Sequence, residues 1–239
     1  MPISHPADVL VFAAAALTAL IAAQSLRHVT SGYPELAVTA RWLGLGLVVW
    51  SAVAIFASTI SFFPQRTAFV DGDFPGFLAL NTLIMLLPGI FVAAALVSER
   101  VRAVVWLVPA YALIGIHVYR LGGGVIVQLG QEGLLPPYIA YTTGVGDMIV
   151  GATALPIAVW MSRGWRGARL AAGAWALFGL LEFTNAVVAV QLSFFGIVPS
   201  EIEPAMVGFP PMSTICLFQL PFGVMTHVWL LMRLRRSHA

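Results

Sequence analysis

Five ionisable residues lie inside long apolar stretches of this 239-residue sequence, where charged groups are costly and usually functional. They are two histidines, one arginine and two acids: His117, Arg120, Asp147, Glu182 and His227. One arginine neutralises only one of two carboxylates, although His117 is a second candidate positive partner. A carboxyl group kept from water without a counter-charge holds its proton. The set therefore predicts a site for a proton, a small cation or a small ligand.

Asn81 and Asn185 are the neutral polar companions of these residues. Residues three apart share a helix face, so His117 lies beside Arg120 and Glu182 beside Asn185. Each acid also follows a stripe of small residues, which lets helix backbones approach closely. The stripes are Gly144, Gly151 and Ala154 for Asp147, and Ala176, Gly179 and Ala186 for Glu182. We therefore expect both acids to point into helix–helix contacts and away from lipid.

The same residues allow two other interpretations. Arg120 could pair with an acid only to hold the helices together, without chemistry. His117 and His227 are also candidate metal ligands, and a haem- or metal-binding membrane redox protein is the alternative function. Counting 1.5 Å per residue from the predicted helix ends places these histidines about 10 Å apart in depth, too far for opposed ligands of one haem. We therefore predict no cofactor and no metal.

The composition indicates how such residues are positioned. Apolar residues make up 60% of the chain and charged residues 9%, against roughly 45–50% and 25% in soluble proteins, which excludes a water-soluble fold. About 20 apolar residues span a bilayer, and seven stretches qualify. They cover residues 9–25, 42–62, 74–97, 103–124, 138–161, 170–196 and 213–231. The sequence predicts an all-α fold, with residues 1–239 forming a single transmembrane domain of seven helices.

The arginines predict the orientation, because basic residues accumulate in cytoplasmic loops. Ten of the 12 arginines fall in alternate connectors and the tail: Arg27, Arg41, Arg100, Arg102, Arg163, Arg166, Arg169, Arg233, Arg235 and Arg236. The N-terminus is then outside and the C-terminus cytoplasmic, in a bacterial inner (plasma) membrane. The chain contains no lysine, which excludes a retinal Schiff base.

Helix ends and spacing give two further expectations. The glycines at 122–124 are expected to end or kink the fourth helix at the outer surface, since no strand precedes them and no GK[ST] follows. Counted from such ends, all the polar residues except His227 fall in the outer half of the bundle, about 5–15 Å from its outer edge.

A faint internal repeat relates the first and last thirds of the chain. Thr18-Ala19-Leu20 before Arg27 matches Thr153-Ala154-Leu155 before Arg163, and Leu87-Pro88 before Arg100 matches Leu220-Pro221 before Arg233. The pattern favours a 3+1+3 parallel repeat, a layout that resembles that of sugar carriers of the SWEET type.

Several short motifs are similar to those of an uncharacterised bacterial family of seven-helix membrane proteins. They are Tyr119-Arg120-Leu121-Gly122-Gly123, Gly144-Val145-Gly146-Asp147 with Gly151, an acid in the sixth helix, and Pro221 followed by His227 near an arginine-rich tail. Glu182 stands where that pattern has Asp. The resemblance implies that Arg120, Asp147, Glu182 and His227 are positions of interest, and it brings no activity.

We predict a small-solute or proton- or cation-linked transporter, or a ligand-binding protein, and not an enzyme. The remaining alternative is an accessory subunit of a larger membrane complex whose polar residues only hold it together, which the absence of a predicted extramembrane domain favours. The expected partners are the lipid bilayer and a small molecule, proton or cation. A homo-oligomer or a larger complex is compatible with the sequence, and nucleic acid is not expected because the net charge is only +2.

Overall fold

Every regular element of the described residues is helical in the computed structural model, which describes residues 6–60, 74–198, 202 and 207–236. The helices are α1 (Pro6–Val29), α2 (Pro34–Thr59), α3 (Phe74–Val97), α4 (Glu99–Leu107), α5 (Ala110–Gln131), α6 (Pro137–Ser162), α7 (Ala168–Phe194) and α8 (Met212–Arg235). The all-α prediction is confirmed for this part of the chain.

Six of these helices are long and apolar enough to cross a membrane: α1, α2, α5, α6, α7 and α8. Many of their large apolar side chains face outwards, as lipid-facing surfaces do. The protein is therefore a multi-pass membrane protein. A further 24-residue helix, α3, coincides with the third predicted span.

The helices pack as a chain of neighbours. Helix α2 packs on α1, α6 packs on α5 and α7, and α8 packs on α7 and α3. Small residues permit the close crossings, because a Cβ on Gly44 would come 3.0 Å from the Cβ of Ala23, and one on Gly123 would come 2.5 Å from the Gly144 carbonyl oxygen. Two apolar clusters fill the interior at either end of the bundle.

The fourth predicted span differs most from the structure. Instead of one helix over 103–124, the chain leaves helical geometry at Val108 and Pro109, and α5 then runs on to Gln131. Proline disfavours helical geometry at the preceding residue, which explains the break. The glycines at 122–124 do not end the helix. They continue it, because Gly123 is the point where α5 crosses α6.

This shift places Arg120 near the middle of its helix, at the level of Asp147 and Glu182. Measured at 1.5 Å per residue, Arg120, Asp147 and Glu182 lie about 15–18 Å from the ends of α5, α6 and α7 that were predicted to face outside. The helices themselves are about 33–40 Å long. The three residues therefore lie near the middle of their helices, and Arg120 lies deeper than the sequence indicated because α5 ends at Gln131 and not at residue 124.

Candidate functional site

The Arg120 guanidinium joins four helices at the centre of the bundle. Arg120 lies on a tighter 3-10 stretch of α5, Ile116–Gly122, and is only 1% exposed. Its Nε donates to Asp147 Oδ1 on α6, and its Nη2 donates to Glu182 Oε2 on α7. Its Nη1 lies 3.2 Å from His227 Nε2 on α8. We call Arg120, Asp147, Glu182 and His227 the charge cluster, whose members are all buried.

An aromatic ring covers one face of the guanidinium. The Cζ of Arg120 lies 3.8 Å from the centroid of the Phe183 ring, next in sequence to Glu182. A cation over a ring face is attracted by the ring quadrupole. Arg120 therefore has both a polar rim of partners and an apolar face, which suits a guanidinium kept away from water.

The contact with Arg120 determines the protonation of His227. A guanidinium has donors only, so His227 Nε2 must accept and carries no proton. A neutral ring then holds its proton on Nδ1, and that atom has no hydrogen-bond partner among the described residues. His227 is thus a neutral imidazole with a buried donor left unpaired.

The second histidine lies directly against the first. The ring centroids of His117 and His227 are 4.1 Å apart, and Trp175 packs against both rings. Thr226 Oγ1 lies 2.8 Å from His117 Nε2 and 3.0 Å from two backbone carbonyls of its own helix. If the hydroxyl donates to a carbonyl, His117 Nε2 donates to Thr226. The predicted 10 Å depth difference is wrong, because α5 begins and ends later than the sequence indicated.

Three polar atoms around the cluster lack a partner among the described residues. They are Glu182 Oε1, His117 Nδ1 and His227 Nδ1. Buried polar side-chain atoms are normally hydrogen-bonded, and leaving one unpaired costs about 1–3 kcal/mol. The cluster also has one fixed positive charge against two acids. If both acids are ionised, the cluster therefore carries more negative than positive charge.

Two glycines leave the space that the cluster occupies. A Cβ on Gly146 of α6 would come 2.5 Å from Glu182 Cγ, and one on Gly179 of α7 would collide with the His227 ring and approach Arg120 Nη1 to 3.2 Å. These two glycines therefore let the helix backbones come together around large polar groups. Asp147 and Glu182 both point into helix–helix contacts, as their stripes indicated.

Of the two predicted asparagine companions, only Asn185 has a side chain that the structure describes. Asn185 is half-buried and makes no hydrogen bond with the charge cluster. The side chain of Asn81 lies outside the described part of the structure.

Sequence reasoning missed the residues that surround the cluster: Phe183, Trp175 and Thr226. Trp175 had a usable signal, because it lies seven residues before Glu182 and so on the same helix face. Thr226 had none, since it adjoins His227 in sequence but bonds to His117 on another helix.

The histidine pair does not fit the haem alternative. Rings 4.1 Å apart leave no space for a porphyrin between them, and each Nε2 already faces Thr226 or Arg120. Among the residues that the structure describes, no three His, Cys, Asp or Glu side chains are placed to share a metal ion.

A family comparison covers the same region. The family described as a domain of unknown function, DUF8737, matches residues 77–235. The chain belongs to this family. The matched segment runs from α3 into α8 and includes His117 and the whole charge cluster, whereas α1 and α2 precede it. No curated protein and no solved structure matches the chain.

Proposed function

We propose that this protein is a proton-linked membrane carrier or binding protein for a small solute, with the charge cluster as its proton-binding site. The observation that carries the proposal is that one buried guanidinium bridges two carboxylates from different helices. With Arg120 charged and His227 neutral, two ionised acids would leave a buried net negative charge. Binding one proton neutralises the cluster, which favours the protonated state in a low-dielectric interior.

The bound proton would change how the helices pack. Asp147 and Glu182 bind separate nitrogens of Arg120, so either link can weaken without the other. A proton on Glu182 replaces a charge-assisted hydrogen bond with a weaker one and loosens α5 from α7. The α5–α6 link through Asp147 is kept. Protonation would therefore change the balance between two helix contacts, as a two-state carrier requires.

The topology belongs to the same proposal. Counting α3 as a span gives seven membrane crossings, with the N-terminus outside and the C-terminus cytoplasmic in a bacterial inner membrane. The packing of α1 on α2, like that of α6 on α7, is compatible with a 3+1+3 repeat. Sites at the middle of the bilayer are typical of carriers built from repeats.

Infrared spectroscopy of the purified protein tests the bound proton. We expect a carbonyl stretch from a protonated carboxylic acid at neutral pH, which shifts in heavy water. Glu182→Gln or Asp147→Asn should remove it, whereas Glu132→Gln, which changes an exposed acid at the end of α5, should leave it unchanged. A structural staple or an accessory subunit with a fully ionised cluster would give no such band. Its absence in the folded wild-type protein would refute the proposal.

A further inference from the structure

An apolar cavity of about 330 Å³ lies beside the charge cluster. Helices α1 and α2 form one wall, and α3, α4, α5 and α8 form the other. Five aromatic side chains line it: Trp42, Trp50, Phe91, Phe222 and Trp229. Its lining, within the described part of the chain, includes no charged residue. The volume is at the lower end of the range for small-molecule pockets, roughly 300–1,000 Å³.

The cavity runs from one end of the bundle to its middle. Ser25 lies about 6 Å from the arginine-bearing end of α1, and Thr226 lies near the level of the cluster. Trp42 on α2 and Ile90 on α3 line the cavity and are 68% and 54% exposed. Since α2 packs on α1 and α3 packs on α8, the opening lies between two helix pairs. In a bilayer, an opening between these apolar helices would face acyl chains.

We propose that this cavity binds an uncharged, ring-containing, lipid-soluble molecule that enters from the bilayer between α2 and α3. A charged ligand would find no counter-charge in the lining. Aromatic walls favour a flat ring, which stacks or meets them edge to face. The hydroxyl groups of Ser25 and Thr226 offer hydrogen bonds to one or two ligand oxygens.

Thr226 connects the cavity to the charge cluster. It lines the cavity, and its Oγ1 lies 2.8 Å from His117 Nε2. The His117 ring touches His227, which contacts Arg120. A ligand oxygen bound at Thr226 would compete for the hydroxyl and alter the hydrogen bond of His117. This coupling rests on the proposed function, whereas binding in the cavity does not.

Tryptophan quenching tests the binding claim in nanodiscs with 2-bromonaphthalene as the probe. Three of the seven tryptophans line the cavity, so quenching should saturate with probe concentration at a level set by those three. Gly46→Leu should fill the cavity, because a Cβ at Gly46 meets nothing within 4 Å. If the new leucine prevents about two methylene-sized groups of the probe from being buried, the affinity should fall about tenfold. Ala112→Leu, from the opposite wall, should do the same.

Gly89→Leu is the matched control. Gly89 also has open space at its Cβ and lies on an exposed position of α3 outside the cavity lining, so it adds the same side chain to the lipid-facing surface. The affinity should not change. Linear quenching that is equal in all four proteins would overturn the proposal. A second outcome would also overturn it. If nanodiscs of lipids with brominated acyl chains quench the wild-type tryptophans, and 2-bromonaphthalene gives no saturable quenching, then membrane lipid fills the cavity.

The two proposals can fail separately. Saturable binding that Gly46→Leu weakens, without a protonated-carboxyl band, supports the cavity site and refutes the proton-linked function. A protonated-carboxyl band with linear quenching refutes only the cavity site.

Discussion

The charge cluster predicts couplings of opposite sign among Arg120, Asp147 and Glu182. The variants are Arg120→Met, Asp147→Asn and Glu182→Gln, singly and in all pairs. Asn and Gln keep the size and one acceptor oxygen of the acid, so they remove little besides the charge. Met keeps much of the apolar length of arginine without a donor. Each double-mutant cycle therefore measures a coupling free energy between charges while the shapes of the side chains change little.

The expected losses of unfolding free energy follow from the contacts of each group. Neutralising one acid leaves Arg120 paired one to one and replaces an ion-paired hydrogen bond with a weaker one to a neutral oxygen, at a cost of about 1 kcal/mol. Neutralising both acids leaves a guanidinium that is 1% exposed without a counter-charge, at about 3–5 kcal/mol. The Asp147/Glu182 double variant should therefore lose about 1–3 kcal/mol more than the sum of its singles.

The double variants that include Arg120→Met should deviate from additivity in the other direction. Arg120→Met alone leaves two buried acids without their partner and should cost about 3–5 kcal/mol. When one acid is already neutral, less unpaired charge remains. Arg120→Met combined with Asp147→Asn or Glu182→Gln should then lose about 0.5–3 kcal/mol less than the sum of the singles.

Unfolding in mixed micelles of dodecylmaltoside and sodium dodecyl sulfate, followed by tryptophan fluorescence, gives the free energies. The exposed pair Glu99 and Arg102, with Nη2 and Oε1 3.6 Å apart, is the matched control, and its coupling should stay below about 0.5 kcal/mol. Additivity within about 0.5 kcal/mol in all three cluster cycles would show that these residues do not share one electrostatic site. Deviations of the same sign in every cycle would refute the one-arginine, two-acid account.

Two further predictions concern the fold. A reporter fused after Ala239 should report the cytoplasm and one inserted at Asp71 the outside, because ten of the 12 arginines fall in alternate connectors and the tail. Finding both reporters on the same side would refute the seven-span proposal. Gly123→Ala should destabilise the protein by about 1–3 kcal/mol, since its Cβ would come 2.5 Å from the Gly144 carbonyl oxygen. Gly124→Ala should be nearly neutral, since its nearest neighbour is Met148 Sδ at 3.9 Å, and equal losses in micelle unfolding would contradict this helix crossing.

The sequence alone determined the class of protein and the residue types of the site. Apolar stretches of membrane-spanning length predict helices, because backbone groups in lipid must be satisfied within the segment. The 3.6-residue period placed Asp147 and Glu182 on small-residue faces, and the structure has both acids in helix contacts. These properties are local, so spacing along the chain is enough to predict them.

Only the tertiary structure decided which groups meet. The break at Pro109 and the continuation of α5 through Gly123 depend on how α5 crosses α6, and they shift the depth of every residue on the helix. The bond from Thr226 to His117 and the cavity closed by α1 and α2 join segments far apart in sequence. Periodicity predicts which face of a helix is polar. It does not contain the crossing angle or the axial shift between two helices, and a shift of one turn, about 5.4 Å, makes or breaks each of these contacts.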